Sequence, residues 1–118
     1  MKTIIAGSRH IEDASVVEQA ILESGFRITC VISGAAKGVD ELGQAWAEKN
    51  NILIELYPAL WDKFGKSAGS KRNEVMAYSG EALIALPCKH SKGTKDMLER
   101  ARNRGLLIFE KELTCTKK

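Results

Sequence analysis

The segment Ser33-Gly34-Ala35-Ala36-Lys37-Gly38-Val39-Asp40 joins two stretches of different apolar patterning. Before it, residues 28–32 form a short β-branched apolar run, which predicts a buried strand. After it, apolar side chains recur at helical spacing, which predicts a helix over residues 40–49. The segment is therefore expected to be the loop of a strand-loop-helix junction.

The composition of this loop suits an anion. Glycine at positions 34 and 38 lets the backbone approach a ligand closely. The start of the following helix adds free N–H groups and a positive dipole end. A second interpretation is that the two glycines only form a tight turn and that Asp40 only caps the helix. The loop is a candidate phosphate site, although it matches neither the Walker A pattern nor G-x-G-x-x-G.

The overall composition indicates one soluble globular domain over residues 1–118. Hydrophobic residues make up 44% of the chain, and no apolar segment is long enough to cross a bilayer. The N-terminus enters a strand-like run at once, so we expect a cytoplasmic protein. A net charge of +3 does not require nucleic acid and is compatible with an anionic small molecule. Three cysteines without paired spacing indicate neither a disulfide nor a metal site.

Strand-like and helical patterns alternate along the chain. Asp13 is expected to cap the first helix, and Gly25 is expected to end it. In the helix before the fourth strand, Val75 and Met76 are expected to face inward. The polar end, residues 114–118, is expected to fray. The predicted strands are residues 2–6, 28–32, 52–57, 82–86 and 106–109, and the later helices are residues 40–49, 69–79 and 94–104.

This alternation predicts an α/β, Rossmann-like fold with a parallel sheet and helices on both faces. We expect five strands in the order 3-2-1-4-5, because reversal after the third strand places the first and fourth strands side by side. Ligands bind beyond the carboxyl ends of the strands near such a reversal. The loops Gly7-Ser8-Arg9, 33–40 and 88–94 each follow a strand and are expected to share one crevice.

Several short motifs closely resemble the small YpsA-related branch of the SLOG superfamily. They are Gly7-Ser8-Arg9, Ser33 to Asp40, Ala45-Trp46-Ala47, Tyr57-Pro58-Ala59-x-Trp61, Ala68-Gly69 and Arg72-Asn73-x-x-Met76. SLOG proteins share a Rossmann-like fold that holds nucleotides or their derivatives, and they include the LOG phosphoribohydrolases and DprA. The resemblance covers nearly the whole chain. It implies a nucleotide-like ligand without a cofactor, and it is compatible with a homodimer.

The resemblance and the loop positions together nominate a set of ligand contacts. Arg9 and Arg72 are suited to charge-assisted, bidentate bonds with a phosphate. Trp61 or Phe64, in the long connection 59–68, would let a base stack, although packing against the sheet edge is the commoner use of such residues. The expected ligand- or phosphate-binding residues are Gly7, Ser8, Arg9, Ser33, Gly34, Ala35, Lys37, Gly38, Asp40, Arg72, Asn73, Gly93 and Thr94.

The chain departs from the LOG enzymes where their catalytic residues lie. Counting from Gly93-Thr94, Met97 occupies the place of the catalytic glutamate, and Asn73 replaces a lysine. Hydrolysis of an N-glycosidic bond needs a carboxylate, so Asp40 and Asp96 are the candidate catalytic residues. Asp96 is turned by about 100 degrees from Met97 around the helix. Asp40 alternatively caps its helix or binds a ribose hydroxyl.

Three functions remain open on the sequence. The preferred one is binding of a nucleotide or nucleotide-derived small molecule, for sensing or sequestration. The second is a nucleoside 5′-monophosphate N-glycosidase similar to LOG enzymes, a hydrolase, and Met97 counts against it. The third is a DprA-like association with DNA, for which the modest charge offers little support.

Overall fold

The computed structural model describes residues 1–114. Its strands are β1 (Lys2–Gly7), β2 (Cys30–Ser33), β3 (Leu53–Leu56), β4 (Ala82–Leu86) and β5 (Leu107–Glu110). Its α-helices are α1 (Ala14–Ser24), α2 (Val39–Lys49), α3 (Trp61–Phe64), α4 (Ala68–Ser79) and α5 (Lys92–Asn103). Residues 115–118 of the end that was expected to fray lie outside the described residues. None of the helices within residues 1–114 has the length and apolar character needed to cross a membrane.

The five strands form one parallel sheet in the order β3-β2-β1-β4-β5, as predicted. Ile4 in the central strand β1 pairs with Ile32 of β2 on one side and with Leu83 of β4 on the other. These residues belong to near-continuous apolar runs, as expected for strands that are covered on both faces. The strand order reverses between β1 and β4, so the two neighbouring crossovers leave the sheet in opposite directions there.

Helices cover both faces of the sheet, and alternate side chains of β1 enter the two cores. Ile4 packs on the side of α4 and α5 with Met76 and Met97. Ile5 packs on the side of α1 and α2 with Val17. The boundaries of α1 follow the predicted signals, since the Asp13 side chain accepts a hydrogen bond from Ser15 N at 2.9 Å and Gly25 adopts φ of 70°.

Three local expectations differ from the structure. The connection 59–68 is not a plain loop, because it contains α3 and a 3-10 turn at Gly65–Ser67. Val75 is 49% exposed, although its neighbour Met76 is buried as predicted. Consecutive helical residues point about 100 degrees apart, so the buried stripe of α4 that contains Met76 leaves Val75 outside. Cys88 is disulfide-bonded, so the expectation of no disulfide is wrong; spacing alone does not reveal which cysteines a fold brings together.

Candidate functional site

A crevice of about 530 Å³ opens beyond the carboxyl ends of β1 and β4. This volume lies within the range of small-molecule sites, and the position is the one expected at a reversal of strand order. The lining residues come from four parts of the chain: Ala6, Gly7 and Arg9; Ala36 and Asp40; Trp61, Lys66, Gly69, Ser70, Arg72, Asn73 and Met76; and His90, Ser91, Lys92, Gly93, Thr94, Asp96 and Met97.

Two glycines bring the loop after β1 close to its neighbours. A Cβ on Gly7 would overlap the carbonyl oxygen of Leu86, so only glycine fits between β1 and the end of β4. Gly38 has φ of 80°, and a Cβ there would overlap the carbonyl oxygen of Ser8. Val39 N donates a hydrogen bond to that same oxygen at 3.0 Å. The loops after β1 and β2 are thus packed directly against each other, which is a packing role for both glycines.

The loop over residues 34–38 turns its N–H groups inward. The N–H of Ala36 donates to Oδ2 of Asp40 at 3.1 Å, and the N–H of Ala35 donates to Oγ of Ser33 at 3.1 Å. Two of the backbone donors that were expected to face an anion are therefore already satisfied within the loop.

Asp40 is the most buried carboxylate of the crevice, with 6% of its surface exposed. Burial raises the pKa of this carboxyl above its ordinary value, while the backbone donor at Ala36 and the charges of Arg72 and Arg9 act in the opposite direction. A buried carboxylate that lines a cavity and has a raised pKa is a recognised feature of functional sites. Asp40 therefore combines a structural role in its loop with an acid-base group at the crevice wall.

Arg72 joins α4 to the loop after β2. Its Nη1 donates to the carbonyl oxygen of Gly34 at 2.6 Å, and its Nε donates to Oδ1 of Asn73 at 2.9 Å. A Cβ on Gly34 would overlap Nη1 of Arg72, so the guanidinium lies directly over this glycine. Arg72 lines the crevice, yet two of its donors already serve the fold.

Asp96 is held in a polar cluster between α4 and α5. Its Oδ2 accepts a hydrogen bond from Asn73 Nδ2 at 2.9 Å and one from Arg100 Nε at 3.0 Å. Asn73 Nδ2 also donates to the carbonyl oxygen of Gly93 at 3.2 Å. These contacts occupy the carboxylate as an acceptor, which makes Asp96 a helix-linking residue in this structure.

The start of α5 is the more open helix end at the crevice. Ser91 precedes the helix, but its Oγ accepts from Cys88 N at 2.9 Å and makes no cap bond to α5. Gly93 is exposed, with no neighbouring atom within 4 Å of the place of a Cβ. The N–H of Lys92, the first of α5, donates to the carbonyl oxygen of His90 at 2.9 Å. No side chain caps the next N–H groups, which belong to the crevice-lining residues Gly93 and Thr94 at the positive end of the helix dipole.

Cations outnumber anions along the crevice wall. Arg9, Lys66, Arg72 and Lys92 line it, against Asp40 and Asp96. Excess positive charge of this kind attracts an anionic ligand.

The structure brings about half of the predicted contacts to the crevice. Those that line it are Gly7, Arg9, Asp40, Arg72, Asn73, Gly93 and Thr94. Those that do not are Ser8, Ser33, Gly34, Ala35, Lys37 and Gly38. Lys66 and Ser70 also line the crevice but were not predicted from the sequence. The signal that could have indicated them is their position beside the motif Ala68-Gly69.

Met97, at the place of the catalytic glutamate in LOG enzymes, is 1% exposed and belongs to the core between α5 and the sheet. It contributes an apolar side chain to the base of the crevice. The structure therefore offers no carboxylate at this position.

Comparisons with known proteins agree with the fold and with the motifs. The profile described as "YspA, cpYpsA-related SLOG family" matches residues 1–64. The Gene 61 protein of Mycobacterium phage D29 is 32% identical over 117 residues, which cover 92% of this chain and 94% of that protein. The solved structure of DNA processing protein A (DprA) from Streptococcus pneumoniae superposes with a TM-score of 0.73 at 21% identity over 92% of this chain.

The chain spans about half of that DprA chain, 49% of its length, and the likeness shows the shared fold alone. The profile match covers more than half of the 118 residues, and the phage relative aligns along almost its whole length. The chain belongs to the YspA, cpYpsA-related SLOG family.

Proposed function

We propose that the protein binds a nucleotide or nucleotide-derived small molecule in the crevice between the ends of β1 and β4. The observation that carries the proposal is the uncapped start of α5 in a cavity lined by an excess of cations. A phosphate at a helix N-terminus is stabilised by free N–H groups and by the helix dipole. Membership of the SLOG family supports a nucleotide-related role.

The phosphate is assigned to the start of α5, near Gly93 and Thr94. Lys92 and Arg9 line the crevice and supply positive charge. The alternative position, the loop after β2, is less suited because the N–H groups of Ala35 and Ala36 are already bonded to side chains of the chain itself. A single anion is therefore expected at α5.

The base is assigned to the Trp61 side of the crevice. Trp61 is exposed and lines the cavity, and the edge of its ring lies over Gly69, where a Cβ would be 3.4 Å from Cη2. An exposed indole is a sequence-tolerant stacking surface, since every base has a π-face.

Calorimetric titration with nucleoside 5′-monophosphates, their nucleosides and ribose 5-phosphate tests this proposal. We expect the nucleotide to bind most tightly, because it alone supplies both the phosphate and the base. Trp61→Leu should weaken nucleotide binding and leave ribose 5-phosphate binding unchanged. Trp46→Leu is the control for loss of an indole outside the crevice, although Trp46, unlike Trp61, packs against the core. Absence of heat and of thermal stabilisation with every nucleotide would refute the proposal.

A second candidate, hydrolysis of the N-glycosidic bond of a nucleoside 5′-monophosphate, is favoured by Asp40. A buried carboxylate at the crevice wall has the character of a general base that takes a proton from the attacking water. Water then adds across the bond between ribose C1′ and the base nitrogen. Chromatographic detection of free base, lost in Asp40→Asn, would establish this reaction; its absence in the wild type would leave binding as the function.

A further inference from the structure

A second concavity, of about 310 Å³, lies where the end of β3 meets α3 and α4. Its surface is mainly apolar, and we call it the α4 groove, defined by Leu56, Leu60, Phe64, Lys71 and Val75. Leu56 is 53% exposed, Leu60 52% and Val75 49%. These residues belong to the end of β3, to α3 and the residue before it, and to α4, and they line one concavity, so their apolar surfaces form one patch.

Such a patch differs from scattered surface leucines. A single exposed leucine is ordinary, as with Leu22 on α1, whereas a contiguous apolar concavity marks an interaction site. The edge strand β3 adds to this, because within residues 1–114 it pairs with β2 on one side and with no strand on the other. The surface is therefore suited to covering by another chain.

The rim of the α4 groove is positively charged. The ammonium groups of Lys63 and Lys71 lie 5.2 Å and 5.1 Å from the centroid of the Phe64 ring. Both lysines are exposed. Asp62 is the acidic residue between Leu60 and Lys71 in the sequence.

Apart from Asp62, the carboxylates of α4 and β3 do not neutralise this rim because they are bonded elsewhere. Glu74 on α4 accepts from Arg100 at 3.0 Å and from Arg104 at 2.9 Å. Glu55 on β3 pairs with Lys2 at 3.0 Å. The groove thus presents apolar anchor positions beside lysines that have no carboxylate partner among the ion pairs of residues 1–114.

We propose that the α4 groove docks a segment of another protein that carries carboxylates beside apolar side chains. Leucine or phenylalanine side chains fill the concavity between Leu60 and Val75, and the carboxylates meet Lys63 and Lys71. This is the recognition mode in which an amphipathic segment lays its apolar face in a groove while charge complementarity sets its orientation.

The same charges disfavour a second copy of this chain as the occupant. A two-fold dimer through the α4 groove would place the same patch on both subunits, so that Lys63 and Lys71 of one copy face the lysines of the other. Like charges brought together in an interface oppose association. The α4 groove adjoins the crevice at Arg72, which lines both, but the proposal uses neither Arg72 nor the nucleotide.

Two synthetic helix-forming peptides test the proposal. Both carry Leu and Phe at positions i, i+4 and i+7; one has Glu at its other surface positions and the other has Lys. We expect the full-length protein to bind the acidic peptide at least about tenfold more tightly than the basic one in fluorescence anisotropy. Val75→Glu should weaken binding of the acidic peptide by at least about tenfold, because it adds a repelling carboxylate to the groove.

Lys71→Glu should reduce or reverse the preference for the acidic peptide over the basic one. If the groove bound peptides only through its apolar surface, this substitution would not change the preference. Leu22→Glu is the matched control, since Leu22 is an exposed apolar residue on α1 away from the groove, and it should leave both affinities unchanged. Circular dichroism verifies that each variant is folded. All three substituted side chains are exposed, so folding is expected to be retained.

Three outcomes would overturn the proposal. The first is that the wild type binds neither peptide at millimolar concentration or binds both equally. The second is that Val75→Glu binds the acidic peptide as the wild type does. The third is that the wild type sediments as a dimer that Val75→Glu converts to a monomer, since the occupant would then be a second copy.

Discussion

The guanidinium Nη1 of Arg72 donates a hydrogen bond of 2.6 Å to the carbonyl oxygen of Gly34, across 38 positions of the chain. Because a Cβ on Gly34 would overlap Nη1, this contact requires glycine at position 34. It ties the loop after β2 to α4 at one wall of the crevice. An arginine nominated as a phosphate ligand thus also stabilises the loop that was nominated as a phosphate cradle.

Replacement of Arg72 by alanine is expected to lower both stability and ligand affinity. Hydrogen bonds from a charged donor contribute about 1.5–3 kcal/mol, so the free energy of unfolding should fall by about that amount in urea titrations. Arg102→Ala is the matched control; Arg102 forms an exposed ion pair with Glu110, for which the expected loss is about 0–1 kcal/mol. Equal stabilities of Arg72→Ala and wild type would contradict a structural role for the guanidinium.

Lys92→Ala is expected to weaken nucleotide binding, because this residue supplies charge at the start of α5. We expect a loss of about five- to tenfold, about 1–1.4 kcal/mol, measured by calorimetry. The loss should shrink as salt is raised, since exposed charges are screened. Lys37→Ala is the control, because Lys37 is an exposed loop lysine that does not line the crevice. An equal loss in both variants would place the phosphate elsewhere.

Asp40 and Asp13 are expected to give stability opposite dependences on pH. Burial raises the pKa of Asp40 above its ordinary value of 3.8, so the folded state holds this proton more tightly than the unfolded chain does. Its contribution to stability is therefore greatest below pH 3.8 and is lost as pH rises through the higher folded pKa.

The hydroxyl and N–H of Ser15 lower the pKa of Asp13, so its contribution is present above pH 3.8 and is lost as pH falls through the folded pKa. The test measures the free energy of unfolding of the wild type, Asp40→Asn and Asp13→Asn at pH values below and above 3.8. The difference between the wild type and each variant, followed against pH, gives the contribution of that carboxyl group. If the two differences changed with pH in the same direction, the burial of Asp40 would not have the expected effect.

Met97→Glu is expected to destabilise the protein instead of creating a hydrolase. The side chain lies in the core with Met76 and Leu83, where an unpaired carboxylate costs about 3 kcal/mol or more. Met97→Leu conserves volume and should cost less than about 1.5 kcal/mol. Thermal melts compare the two variants. A Met97→Glu protein that kept its melting temperature and released base would show that the carboxylate reaches the crevice.

The crevice walls show where prediction from the sequence ends. Local patterning placed Gly7, Arg9, Gly93 and Thr94 after strands, and parallel strands necessarily bring such loops to one edge of the sheet. It did not reveal that Asn73 holds Asp96, because this bond joins α4 to α5 across 23 positions. Nor did it place Lys66, whose approach to the crevice depends on the short helix α3 and the turn after it.

The sequence by itself determined the alternation of strands and helices, because apolar periodicity is a local property that a short segment expresses alone. The strand order followed from this alternation through the geometry of crossovers, and the family followed from the resemblance of short motifs. The tertiary structure decided how the loop after β2 uses its polar groups. Ser33 and Asp40 accept hydrogen bonds from N–H groups of this loop, and Arg72 donates one to the carbonyl oxygen of Gly34. It also decided that Val75 faces outward and Met97 inward. These choices depend on which residues from distant segments compete for the same space and the same donors, and only the packed sheet and helices bring those segments together.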